Sequence, residues 1–172
     1  MTILSDLTLD ECTPVRVWAA LDPETRRLAA RALWASDSEM REQAVQALAS
    51  ALNFRPAGVR KLSPDRRIDY LARRVRPDDA LASSLLMALH LGGRQALLTT
   101  FLDELGIPNE DGLIDADVKP KPVEADRLAA AITAIRERFP ADDVDLYLVS
   151  LLALDPDTWG AMVDVVTSPA TT

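Results

Sequence analysis

Four arginines stand at seven-residue spacings, Arg66 with Arg73 and Arg67 with Arg74, inside "RPAGVRKLSPDRRIDYLARRVR" (55–76). A guanidinium is charged throughout the physiological pH range and presents five donors in a planar fork. Its chemistry is therefore recognition of carboxylate or phosphate rather than proton transfer. Segment 55–76 carries eight basic side chains against Asp65 and Asp69, a net +6, while residues 103–172 carry five basic and fifteen acidic ones, a net −10. Three destinations fit the basic stretch: the chain's own acidic C-terminal third, an acidic surface on another protein, or phosphate groups. Nucleic acid is the weakest, because the whole chain has a net charge of −8 and its field repels a polyanion. Trp34 lies on its helix with Arg27 and Arg31. A tryptophan beside arginines has the composition of an interface hot spot; a tuck beneath the next helix is the other reading. Arg66, Arg67, Arg73, Arg74 and Trp34 are thus the candidate partner- or anion-binding residues.

Equipment for catalysis is sparse. His90 is the single histidine and Cys12 the single cysteine. A triad built on histidine has one place to form, and zinc or iron–sulfur ligation lacks ligands. His90 ends an apolar run, "LMALHLGG", where a residue of a last helical turn is expected to meet free carbonyls. "GG" at Gly92–Gly93 matches no phosphate-loop pattern and reads as the start of a helix in a hairpin. In "LDELGIPNEDGLIDADV" the acids Asp103, Glu104, Glu110, Asp111, Asp115 and Asp117 miss the register of a calcium loop, so a solvated acidic loop is expected. No catalytic residue, metal ligand or cofactor is expected.

Helices must position these residues. Gly is scarce at six, and Ala, Leu, Arg and the acids dominate. Thr13–Pro14, Asp22–Pro23, Ser63–Pro64 and Asp155–Pro156 each place a capping oxygen before proline, and "SDSE" at Ser36–Glu39 has the form of a capping box. With the apolar spacing these signals predict helices over 14–21, 23–35, 37–52, 64–75, 78–91, 93–105, 123–139, 143–154 and 156–167. The fold expected is all-α: an array or bundle of about eight to nine helices in antiparallel hairpins. On helix 64–75, Ile68, Leu71, Ala72 and Val75 form the buried stripe; on 23–35 it is Leu28, Ala29, Ala32 and Ala35. "DDALASSLLMALHL" and "DVDLYLVSLLALD" are apolar nearly all round and belong in the middle.

"ALDPETRR" from Ala20 and "ALDPDTWG" from Ala153 share their first four residues and their sixth. Segment 84–101 also lines up loosely with 149–166. The units stand 68 and 65 residues apart. Convergence on an Asp-Pro-acidic helix start and true duplication both account for the strings. In architecture alone, without a family motif, the hairpins resemble HEAT-like or other α-solenoid pairs.

The organisation expected is a single domain: helical hairpins over 1–106, a long connection over 107–122, and C-terminal helices over 123–172 packed on the same body. The connection, "IPNEDGLIDADVKPKP", is either a tether between helical subdomains or a functional loop. Leu113, Ile114 and Val118 would pin it to the body. The opening "MTILSDLTLD" does not read as a signal peptide, the apolar run 146–154 is too short to cross a bilayer, and a lone cysteine suits a reducing compartment. A cytoplasmic protein off the membrane is expected. The leading expectation for function is a non-enzymatic helical scaffold or adaptor that binds another protein with an acidic surface, with homo-oligomerisation left open. The alternative is a small-molecule-binding or enzymatic helical domain with a pocket near 107–122.

Overall fold

The computed structural model describes residues 12–115, 117–118 and 121–167, the side chains of Ser38 and Thr167 excepted. The described residues form eleven helices and one minimal hairpin: α1 (Pro14–Ala20), α2 (Pro23–Ala35), α3 (Ser38–Leu52), α4 (Pro56–Arg60), α5 (Pro64–Arg73), α6 (Asp79–Gly93), α7 (Gln95–Glu104), β1 (Asn109–Glu110), β2 (Leu113–Ile114), α8 (Ala125–Arg138), α9 (Ala141–Leu154), α10 (Pro156–Trp159) and α11 (Met162–Thr167). The fold is all-α.

The helix starts show why these segments form. Asp22 caps α2, its Oδ1 accepting from the amides of Glu24 and Thr25 at 2.9 and 3.0 Å. Asp155 caps α10 in the same way, accepting from the Thr158 amide at 3.1 Å. The two matching strings are therefore two uses of one capping chemistry, but the helices they begin are unlike. α2 continues for thirteen residues, while α10 stops after four and α11 begins only at Met162. In place of one helix over 156–167 the chain breaks at Gly160–Ala161. Ser63, also before a proline, makes no side-chain cap bond. The cap of α3 is Asp37, not Ser36; Ser36 closes α2, its Oγ donating to the Leu33 carbonyl at 2.6 Å.

The chain forms two compact units, Pro14–Gly93 and Met1–Thr13 with Arg94–Thr172. The 107–122 segment thus joins α7 to α8 within one unit. In Pro14–Gly93, α6 packs against α1, α2 and α3, and α2 also packs against α5. Leu33, Leu48, Leu71, Leu85 and Leu86 are fully buried. Gly92 permits a close approach of α6 to α2: a Cβ there would lie 3.0 Å from the Ala32 Cβ. Gly92 and Gly93 end α6 rather than opening the next helix, and Arg94 alone separates α6 from α7.

In the second unit Phe101 of α7 meets the Tyr147 ring edge-on at 5.5 Å and the Trp159 ring at 5.7 Å. Such pairs add about 0.5–1.5 kcal/mol beyond area burial. Leu128, Ile135, Val144 and Leu148 close the core, and the Cys12 thiol donates to the Val149 carbonyl. As their composition requires, α6 and α9 are the most enclosed helices, each burying eight residues.

Residues 107–115 of the long connection are more ordered than their composition implies. Asp111 and Gly112 form a two-residue turn with φ of 52° and 86°, and Asn109 pairs with Ile114, Glu110 with Leu113. Two positive φ values are the signature of the turn whose twist suits a hairpin, and Asp-Gly is its favoured sequence. Asn109 supports the turn from within, its Oδ1 accepting from the Gly112 amide at 3.1 Å. A Cβ on Gly112 would fall 2.6 Å from the Leu98 Cβ, so the hairpin sits directly on α7. Ile114 and Val118 are half-buried, but Leu113 does not pin the segment: it is 50% exposed.

Candidate functional site

Helices α2 and α5 pack side by side, and their outward faces carry most of the candidate binding residues. On α2, Arg27, Arg31 and Trp34 succeed one another at spacings of four and three and so share one face. α5 answers with Arg67, whose guanidinium carbon stands 5.0 Å from the Trp34 ring centroid, and with Asp69, whose Oδ1 lies 3.1 Å from Arg27 Nε. Trp34 is accordingly half-buried, roofed by an arginine of α5, and its Nε1 and the Nε of Arg67 are buried without hydrogen-bond partners. A cation held over an indole gains from the ring quadrupole, and the contact also fixes the orientation of the guanidinium.

Beside this pair, Pro23, Glu24, Arg27, Leu28, Arg31 and Arg73 line an open cleft of about 510 Å³. Three guanidiniums surround it against one carboxylate. Leu28 is 49% exposed among them. Apolar spacing places Leu28 and Ala35 in the buried stripe of α2; the buried residues are instead Ala29, Ala30 and Leu33, and Ala35 is exposed. The reason is that α2 is apolar around much of its circumference, and the positions of α5 and α6 decide which arc is covered. Leu28 is left outward, an apolar side chain in the lining of a basic cleft.

The structure divides the four arginines of the basic stretch. Arg67 lies over Trp34, and Arg73 lines the α2–α5 cleft. Arg74, one residue past the end of α5, faces a different groove of about 1090 Å³ with Arg76, Glu39, Glu42, Gln43 and Asp78. Arg66 is exposed and lines neither. The expected buried stripe of α5 is in place, with Ile68, Leu71, Ala72 and Val75 all enclosed. The larger groove is the less distinctive, because its two arginines face three carboxylates. Glu42 is held by Arg60 at 2.7 Å and by Gln46, and these bonds keep its carboxyl below the usual range. Arg27, Arg31 and Leu28 also line the cleft, although the sequence did not mark them as binding residues. The signal present for the first two was their shared face with Trp34.

Charge separates the two units. Pro14–Gly93 holds thirteen basic and nine acidic residues, a net +4, while the remainder of the chain holds six and eighteen, a net −12. Among the described residues the guanidiniums of Arg31, Arg66, Arg73 and Arg74 have no hydrogen-bond or ion-pair partner.

His90 lies within α6, 3% exposed. Among the described residues no group of three or more His, Cys, Asp or Glu is placed to hold a metal ion. Burial pushes the Cys12 thiol up to about 11, which keeps it protonated and weakly nucleophilic at neutral pH. No described helix is long and apolar enough to cross a membrane. Comparison with protein-family models, curated proteins and solved structures finds no match to this chain.

Proposed function

We propose that the protein is a non-enzymatic helical adaptor that holds an acidic segment of another protein on its α2–α5 face, within a cytoplasmic setting. The observation that carries this reading is the cleft in which Arg27, Arg31 and Arg73 surround the half-exposed Leu28. The physical division of labour rests on the residue types. Unpaired guanidiniums attract carboxylates over a screening length and orient the incoming segment. Leu28 offers the apolar contact that slows its departure, since desolvated anchors carry most of an interface's energy. Arg67, steadied over Trp34, extends the basic face along α5.

Binding of a fluorescent acidic peptide, glutamates flanking one leucine, tests the proposal by anisotropy. Binding is expected at low salt, to weaken as salt rises, and to fall at least about tenfold in Arg31→Glu/Arg73→Glu, the equivalent of about 1.4 kcal/mol. Equal affinity of wild type and the double variant rejects the reading.

A further inference from the structure

We infer that the α2–α5 cleft of one chain takes the acidic β1–β2 hairpin of a second copy, so that the protein associates head to tail with itself. This rests on the reading of that cleft as a docking site for acidic segments and names the occupant. The two surfaces match in charge, in apolar content and in preparation. The cleft offers Arg27, Arg31 and Arg73 around an exposed leucine, Leu28. The hairpin offers Glu110, Asp111 and Asp115, all exposed, around an exposed leucine, Leu113. Leu28 at 49% and Leu113 at 50% are two of the four large apolar side chains that stand exposed among the described residues; the others are Phe54 and Met87.

The hairpin is built to be presented. Its two-residue turn, the Asn109 bond to the Gly112 amide, the Asn109 Nδ2 bond to Asp103 at 3.1 Å and the seat of Gly112 against Leu98 fix its backbone before any partner arrives. A segment already ordered loses little conformational entropy on docking. The cleft is prepared in turn, because Asp69 orients Arg27 while Arg31 and Arg73 remain unpaired among the described residues. Bringing the hairpin carboxylates to those guanidiniums joins a unit of net −12 to one of net +4, which favours association between copies at low salt despite the chain's overall −8.

A contact between two different patches is heterologous, and it propagates into a ring or an open chain rather than stopping at a symmetric dimer. That property supplies the test. Sedimentation of the full chain is expected to give an average mass at least twice the 18.8 kDa of one copy at about 0.01 M salt, and to return to one copy near about 1 M salt, where the screening length shrinks from about 30 Å to about 3 Å. Cleft variant Arg31→Glu/Arg73→Glu and hairpin variant Glu110→Lys/Asp115→Lys are each expected to sediment as single copies. Mixed together, the intact hairpin of the first meets the intact cleft of the second, and the mixture is expected to form a dimer that grows no further. That complementation also shows that both variants are folded, and the milder Arg31→Gln/Arg73→Gln is expected to weaken association without reversing charge. A wild-type chain that stays single at both salts overturns the inference, as does a mixture that stays single. If the wild type is single yet the fluorescent acidic peptide still binds it and loses affinity in Arg31→Glu/Arg73→Glu, the self-association is wrong and the adaptor reading survives. If the wild type is single and that peptide does not bind, both fall.

Discussion

In the acidic unit the four arginines each hold a partner across elements. Arg94 Nε and Nη2 both donate to Asp143 of α9, at 3.0 and 2.6 Å. Arg136 of α8 reaches Asp145 of α9 at 3.0 Å, Arg138 of α8 reaches Glu104 of α7 at 3.5 Å, and Arg127 of α8 donates to the Leu105 carbonyl. In Pro14–Gly93 matters stand otherwise: the side chains of Arg31, Arg41, Arg55, Arg66, Arg73, Arg74 and Arg76 have no hydrogen-bond or ion-pair partner among the described residues. The cause is partly stoichiometric. Where six basic side chains face eighteen acidic ones, every arginine finds a carboxylate or carbonyl nearby; where thirteen face nine, some are left over. The same residue type therefore staples helices in one unit and remains available to a partner in the other.

The largest effect expected from a single change lies beneath the staples. Phe101→Ala removes a fully buried ring and its contacts with Tyr147 and Trp159, and should cost about 3–5 kcal/mol in urea denaturation. A loss below about 1 kcal/mol would mean that charge, not packing, holds α7 in place. Arg94→Ala, which strips Asp143 of both its donors, is expected to cost about 1–3 kcal/mol. Arg73→Ala should stay within about 0.5 kcal/mol, as surface substitutions away from structural contacts do. Equal losses at the two arginines would break the contrast between the units.

Gly112→Ala combines a positive φ with a Cβ too close to Leu98, and is expected to destabilise by about 1–3 kcal/mol. Thermal unfolding that is unchanged by it would show a hairpin free of α7. A smaller change than at Gly112 is expected at Asp22, where Asp22→Ala should cost about 1 kcal/mol through loss of the α2 cap. Bonds from the Thr25 hydroxyl and amide lower the folded-state pKa of Asp22. Its contribution is therefore present above the unfolded value of about 3.9 and disappears as pH falls through the lower folded value. The gap in stability between wild type and Asp22→Asn should close over that acidic interval, and a gap that persists unchanged below it would assign the cap to shape rather than charge.

Much of the helical framework was legible because its signals are local. Asp22–Pro23 and Asp155–Pro156 carry their capping chemistry within four residues, and the uniform apolarity of α6 and α9 admits no arrangement but enclosure. α4 escaped notice because five residues give no periodicity to read. The hairpin at 109–114 escaped because two-residue strands show no alternation, although Asp111–Gly112 was a hairpin signal in plain view. The exposure of Leu28 was not legible at all. Leu28, Ala29, Ala30, Ala32, Leu33, Trp34 and Ala35 wrap the helix so fully that spacing alone admits several buried arcs.

The amino-acid order alone settled the all-α class, the places where Asp22 and Asp155 start helices, and the polarity of charge between basic 55–76 and the acidic C-terminal third, since each depends on neighbours within a turn or two or on composition. Only the tertiary structure decided which face of α2 is covered, that Arg67 stacks on Trp34, and that Arg73 and Arg74 turn into separate grooves. Those outcomes depend on where other helices lie, and side chains seven residues apart on one helix, or adjacent at its end, carry no record of what will stand opposite them.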